Sequence, residues 1–359
     1  MHPEVTEEQA ELKASVERFW RAQVSPDRLA AWAKDAAGID DPTWRAIADL
    51  GWLGIGVGPS HGGSGLGLVE VACVLEECAR GLLPRRVADA IRGAVALGDL
   101  DPDAAELSDL ASGRKRATLA LDERGARRAE HLQTRVDSDG VTGEKWCVVD
   151  PSADWHIVSA RDGADVSLLL VDGSRAAVTP LRTFDGSEQG VVGYDSAQVV
   201  RVLAGGDGGA PALRRLQRVQ TALALAEMVG GMRAALDDTV AYVQQREQFG
   251  QKIAVFQAVQ HQVADMALAH TASRHLAWRA ISRIAHGTEE GAELAIAAAF
   301  VARSFKDITM TAHHLHGGAG YVVEHPLHYH SERAQALAIR YAPEADALAD
   351  VADAVLGPA

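Results

Sequence analysis

Apolar residues recur at i, i+3 and i+4 over residues 10–20, 42–50 and 68–79, a spacing that gathers them on one face of a helix. Residues 4 to about 115 are therefore expected to be mostly helical, around a turn-rich connector, GVGPSHGGSGLGLVE. The texture changes near residue 116. RATLAL, HLQTRVDSDGVTGEKWCVV, DWHIVSA, VSLLLVD and AQVVRVL are short β-rich runs broken by DG, SDG and DGS turns, which predicts antiparallel strands in a small barrel or sandwich. AGGDGGAP, residues 204–211, reads as a linker. Beyond it the apolar stripes lengthen. One helix is predicted over 212–250, a second over 256–287 stopped by Gly287, a third over 289–318 stopped by Gly317, and a fourth after Pro343. Long stripes with short connections point to a four-helix bundle. The expectation is an α+β multidomain chain: an N-terminal helical domain (1–115), a middle antiparallel β domain (116–205) and a C-terminal helical bundle (206–359).

Composition narrows the class. With 359 residues, the chain is long for one core, and 47% hydrophobic with 23% charged residues describes an ordinary water-soluble protein. No apolar run reaches the length of a membrane span. The first twenty residues are acidic and amphipathic, unlike a signal peptide, and the three cysteines, Cys73, Cys78 and Cys147, are scattered. A cytoplasmic location is expected. A net charge of −14 argues against nucleic acid as the main partner. Arginines at 85/86, 214/215 and 124–128 are basic clusters for which salt-bridged or solvated surface is expected over contact with a phosphate-bearing small molecule. The tryptophans of the helical segments are expected to anchor the core.

Residues 313–330, HHLHGGAGYVVEHPLHYH, hold six of the fourteen histidines around a glycine turn. Zinc ligands on helices usually lie one turn apart or include a cysteine pair. Here the His-x-His pairs point to different helix faces and the cysteines are remote, so packed or hydrogen-bonded histidines are expected and no metal. The connector glycines fit no G-x-G-x-x-G register after a strand, which removes a Rossmann fingerprint.

Four stretches together resemble the acyl-CoA dehydrogenase family: LGWLGIGVGPSHGGSGLG (50–67), GVTGEKWCVVDPSADWHIVSA (140–160), REQFGQKIAVFQAVQHQVADM (246–266) and HLHGGAGYVVEHPLH (314–328). The resemblance spans nearly the whole chain. It implies FAD as cofactor, an acyl-CoA thioester as substrate, and α,β-desaturation in which a carboxylate removes the α-proton while the β-hydrogen leaves as hydride to the flavin. Electrons would pass to an electron-transfer flavoprotein. It places Gly317, Gly318 and Gly320 against the ADP part of FAD bound by a neighbouring subunit, Arg246 against the pyrophosphate, and Gln248, Phe249 and Gln257 at flavin contacts. His314 stands where a glutamine is common.

Three departures stand out. The usual base, a glutamate after the glycine turn, falls on Tyr341 or Ala342, with Glu344 close but out of register. The alternative base position, on the helix before R-x-x-F-G, falls on Gln220. Neither a glutamine nor a tyrosine is a useful base at neutral pH. The loop that touches the flavin ring reads DERGARR, and Val149 replaces a threonine on the next strand, with Trp146 shifted. A chain that keeps its ADP-facing arm but loses base and ring cradle resembles the base-lacking partner in the heteromeric, heterotetrameric enzymes that act on steroid side-chain thioesters in actinobacteria. A homo-oligomeric enzyme with a non-standard base, a flavin monooxygenase on the same scaffold and a purely structural member are the alternatives.

Overall fold

The computed structural model describes residues 6–34, 38–125, 131–288 and 292–357, and the chain divides into two compact units. One unit gathers Met1–Ala31, Leu68–Leu83 and Val219–Ala359; the other gathers Trp32–Gly67 and Pro84–Arg218. In chain order the helices are α1 (Glu7–Gln23), α2 (Pro26–Lys34), α3 (Asp41–Asp49), α4 (Leu68–Arg80), α5 (Arg85–Leu100), α6 (Leu107–Ala111), α7 (Gly209–Gln245), α8 (Gln257–Ala285), α9 (Glu293–His316), α10 (Leu327–Tyr341) and α11 (Glu344–Leu356).

The helical unit is organised around α7. Every side chain from Ala222 to Val229 except that of Glu227 is fully enclosed, and Glu227 is itself buried, so this stretch shows no amphipathic stripe because it has no solvent face. Two adjacent glycines let its neighbours close in. A Cβ on Gly230 would sit 1.9 Å from the Glu76 carbonyl oxygen of α4, and one on Gly231 would sit 2.3 Å from the Phe305 ring of α9. Trp278 of α8 is buried and donates its indole N–H to the Glu76 carboxylate, which Lys13 of α1 also reaches at 2.8 Å. Helix α10 occupies a stretch for which the sequence predicted no helix. Leu327, His330, Ala334, Leu337 and Ala338 form its buried stripe, and a histidine in a core position hid the period.

The β unit holds strands β1 (Ala117–Ala120), β2 (Arg135–Asp137), β3 (Gly140–Val149), β4 (Trp155–Asp162), β5 (Asp165–Asp172), β6 (Ala177–Leu181), β7 (Gln189–Ala197) and β8 (Val199–Ala204). They form one sheet in the order β6-β7-β3-β2-β4-β5-β8, with β1 beside β4. Pairing is antiparallel except that β1 and β2 each run parallel to β4, where a wholly antiparallel sheet was expected. The central strands β4 and β5 are buried on both faces. Ile157, Leu168 and Leu170 pack with α5 and α6, while Val158, Leu169 and Val171 pack with Val141, Val192 and Tyr194. That two-sided burial explains the unbroken apolar run in β5. The expected linker at 204–211 is instead the end of β8, a short 3-10 turn and the first residues of α7. Arg85 pairs with Asp185, Arg86 with Glu188 and Arg215 with Asp99, so these basic side chains are structural ion pairs. Of the basic stretch 124–128, residues 126–128 lie outside the described residues.

Candidate cofactor and active site

The predicted helix over 212–250 stops at Gln245, and the chain turns into a two-residue hairpin, β9 (Glu247–Gln248) and β10 (Gln251–Lys252). Its loop residues, Phe249 and Gly250, have φ of 55° and 77°, as a type I′ turn requires. A phenylalanine in that region is strained by about 1 kcal/mol. It is also 91% exposed, touching only the Phe256 ring edge-on at 6.0 Å among the aromatic contacts. Arg246 anchors the hairpin through its backbone: its N–H donates to the Tyr242 carbonyl at 2.8 Å and its carbonyl accepts from Ile253 at 2.9 Å. Its side chain is exposed, with no acidic partner among the described residues. Gln248 is exposed on the hairpin, and Gln257, also exposed, is the first residue of α8.

At the end of α9, Gly317 takes φ 56°, ψ −139°, a combination open only to glycine, and its N–H closes the helix on His313 and His314 carbonyls. The three glycines differ in purpose. Gly320 is buried, and a Cβ there would come within 2.9 Å of His316 Cβ; a Cβ on Gly318 would meet nothing within 4 Å. His314 is exposed, whereas His313, His316 and His330 are buried. Among the described residues no three His, Cys, Asp or Glu side chains converge as a metal site; the rings stack and hydrogen-bond instead.

The two positions where the sequence was searched for a base lie on neighbouring stretches of α7 and α10: Thr221 Oγ1 of α7, next to Gln220, donates to the Tyr341 carbonyl at the end of α10 at 2.9 Å, across 120 residues of sequence. Gln220 is 3% exposed and Ala342 2%. Glu344 is exposed in the first turn of α11, where a carboxylate complements the helix dipole.

In the β unit, the sequence missed a buried ion pair. Lys145 of β3 has no exposed surface, and its Nζ donates to Glu123 Oε1 at 2.7 Å, the Leu121 carbonyl at 3.2 Å and Ser159 Oγ at 3.0 Å. The Glu123 carboxylate also accepts from the Gln133 and Thr134 amides at 2.6 and 3.0 Å. The pair therefore staples both ends of the loop containing DERGARR, of which residues 126–130 lie outside the described residues. Burial brings Lys145 down to about 8, against the pull of Glu123, while the lysine and the two amides hold Glu123 below the usual carboxylate range despite its burial. Just past Lys145 the register with β7 slips. Cys147, with φ 54°, bulges outward, and Arg124 stands over the Trp146 ring.

Sequence models of the acyl-CoA dehydrogenase N-terminal and C-terminal domains match residues 6–98 and 206–344. Acyl-CoA dehydrogenase FadE28 of Mycobacterium tuberculosis is 32% identical over 294 residues, 80% of this chain and 85% of that protein. This chain belongs to the acyl-CoA dehydrogenase family. Among solved structures, the ChsE4–ChsE5 complex from Mycobacterium tuberculosis superposes with a TM-score of 0.91 at 25% identity, covering 100% of both chains. The Tcur3481–Tcur3483 steroid acyl-CoA dehydrogenase variant gives 0.90 at 27% identity, covering 98% of this chain and 99% of that one.

FAD is the cofactor of acyl-CoA dehydrogenases. The residues that the resemblance assigns to it have a chemistry that fits: the Arg246 side chain has no acidic partner among the described residues, Phe249 offers a bare aromatic face, and the backbone at Gly318 is open to close approach. At the ring end the fit is poorer. Val149 is buried and apolar and offers no hydroxyl donor.

Proposed function

We propose that this acyl-CoA dehydrogenase chain is the partner subunit of a heteromeric, FAD-dependent enzyme that desaturates an acyl-CoA thioester of the steroid side-chain class. Its likeness to the ChsE4–ChsE5 complex and to a steroid acyl-CoA dehydrogenase supports that class. One observation carries the reading: the neighbourhood of Thr221 and Tyr341 contains both family base positions, and these read Gln220 and Tyr341 or Ala342. Bound FAD supplies the hydride acceptor. In this reading Arg246 holds the pyrophosphate by a charge-assisted hydrogen bond, Gln248, Phe249 and Gln257 make flavin contacts, His314 adds a hydrogen bond to the cofactor, and Gly317, Gly318 and Gly320 bring backbone against the ADP portion. Proton removal belongs to a related subunit that carries the glutamate, with an electron-transfer flavoprotein as the electron acceptor and the cytoplasm as the location. The test is the visible spectrum of the chain purified alone, scored as FAD per subunit. A colourless chain that turns yellow on co-expression with a related, glutamate-bearing subunit is expected. About one flavin per chain in isolation would overturn the reading and make Glu344 the residue to mutate.

A further inference from the structure

The histidines under the glycine turn form a connected cluster within the helical unit. The His316 ring is stacked on Tyr242 of α7 at 4.3 Å and 26°, and meets His325 edge-on at 4.8 Å. Tyr242 also donates its hydroxyl to the His316 carbonyl, the last one before Gly317. One turn back on α9, His313 stacks on Tyr321 at 4.9 Å and lies 2.6 Å from Ser331 Oγ of α10.

The hydrogen bonds show where each neutral ring keeps its lone pair. His316 Nδ1 faces the Ala312 carbonyl at 2.8 Å, so it must carry the proton; Nε2 is buried with no partner among the described residues. His325 Nδ1 accepts from the Leu327 amide at 3.2 Å. Among the described residues the buried Nδ1 of His330 has no partner either, and that of His313 lies beside the Gly320 backbone. A second proton on His316 or His330 would meet no acceptor among the described residues, one on His325 would break the bond to Leu327, and one on His313 would meet the Gly320 carbonyl, which offsets only part of the cost of burial. Asp238 of α7 faces His316, with Asp237 and Arg80 behind it, while Arg333 adds positive charge beside His330 on α10.

We propose that this cluster is a proton-operated latch: with neutral rings it clamps residues 317–321 in the conformation described, and protonation releases the turn. Its functional consequence, discharge of the ADP portion of FAD on acidification, rests on the reading proposed above; the latch itself does not. Burial pulls His313 and His325 below the ordinary imidazole value, reinforced by neighbouring imidazoles and opposed at His313 by the Gly320 carbonyl, and pulls His330 down to about 3. The closed turn thus binds fewer protons than the opened one. Closure is complete above the solvated histidine value near 6.5 and is lost as pH falls below it. Each ring that becomes solvated favours opening by about 10-fold at pH 5.5 relative to pH 8, and two linked rings by about 100-fold.

The test is amide hydrogen exchange on the full chain, in whatever assembly it purifies, at pH 8 and 5.5, with rates referred to unstructured peptides. Protection of residues 317–325 should fall by about 100-fold while amides of residues 301–309 in α9 keep theirs. The double variant His313→Gln/His325→Asn, which retains a donor towards Ser331 and an acceptor for Leu327, should hold protection of the turn within about threefold. Equal protection of the wild-type turn at both pH values overturns the latch, as does equal loss across α9, which would be global acid unfolding. An unaltered pH response in a folded double variant overturns it too; if that variant does not fold, the wild-type comparison decides alone. Because exchange is read without reference to flavin, a pH-sensitive turn on a chain shown never to meet FAD would uphold the latch and refute the functional reading.

Discussion

Replacing Lys145 by methionine tests how the β unit holds its loop. The ammonium is fully enclosed and makes three hydrogen bonds, one of them to Glu123. Truncating one partner of such a pair typically costs about 3–5 kcal/mol. Two amide donors remain on Glu123 after the substitution, which puts Lys145→Met near the lower end, about 3 kcal/mol. Glu123→Gln should cost only about half of that. With the folded value of Lys145 at about 8, the amine sits one unit above neutrality and escapes an unpaired charge by losing its proton, for about 1.4 kcal/mol. The carboxylate has no such escape at pH 7. The same lysine gives a pH signature of definite sign. Its folded value lies below the free value of 10.5, so the folded unit binds fewer protons between the two, and stability should rise by up to about 3 kcal/mol from pH 8 to 10.5. Lys145→Met should abolish that rise. Urea titrations monitored by hydrogen exchange of β3, β4 and β5 amides read this unit alone. Equal and additive losses for the two variants, or a larger loss in Glu123→Gln, would refute the reasoning.

Other outcomes follow from the helical unit. Gly318→Ala should leave thermal stability unchanged, because a Cβ there meets open space, yet lower FAD retention in the assembled enzyme; Gly317→Ala should lower both, since φ 56°, ψ −139° strains alanine by about 1–3 kcal/mol. Arg246→Ala should not move the melting temperature, because its side chain has no ion-pair partner among the described residues. It should weaken FAD binding by about 1.5–3 kcal/mol, measured by flavin release on dilution. Glu344→Gln should change turnover of the assembled enzyme by less than about twofold; a loss of 100-fold or more would identify Glu344 as the base after all.

What could be read from the sequence depended on whether a signal was local. The helix ends at Gly287 and Gly317 were legible because a backbone with positive φ needs glycine at that one residue. Strand β7 was not. Its inward positions are Gly190, Val192 and Tyr194, and Gly190 is small because Pro151 and Val178 would lie about 3.1 Å from a Cβ there; a strand whose first inward residue has no side chain shows no apolar alternation. Lys145 defeats the same rule from the other side, standing inside because Glu123 and two neutral acceptors meet it there. The candidate site divides along this line. R-x-x-F-G and the glycine turn announce themselves through two-residue geometry that few sequences need. By contrast, the histidines take their meaning from Tyr242 and Ser331 on other helices, and the base positions from a hydrogen bond that joins Thr221 to Tyr341. Motif reading therefore finds where a backbone must bend. It does not find which side chains hold that bend in place, and in this chain those are titratable rings whose protonation decides whether the bend persists.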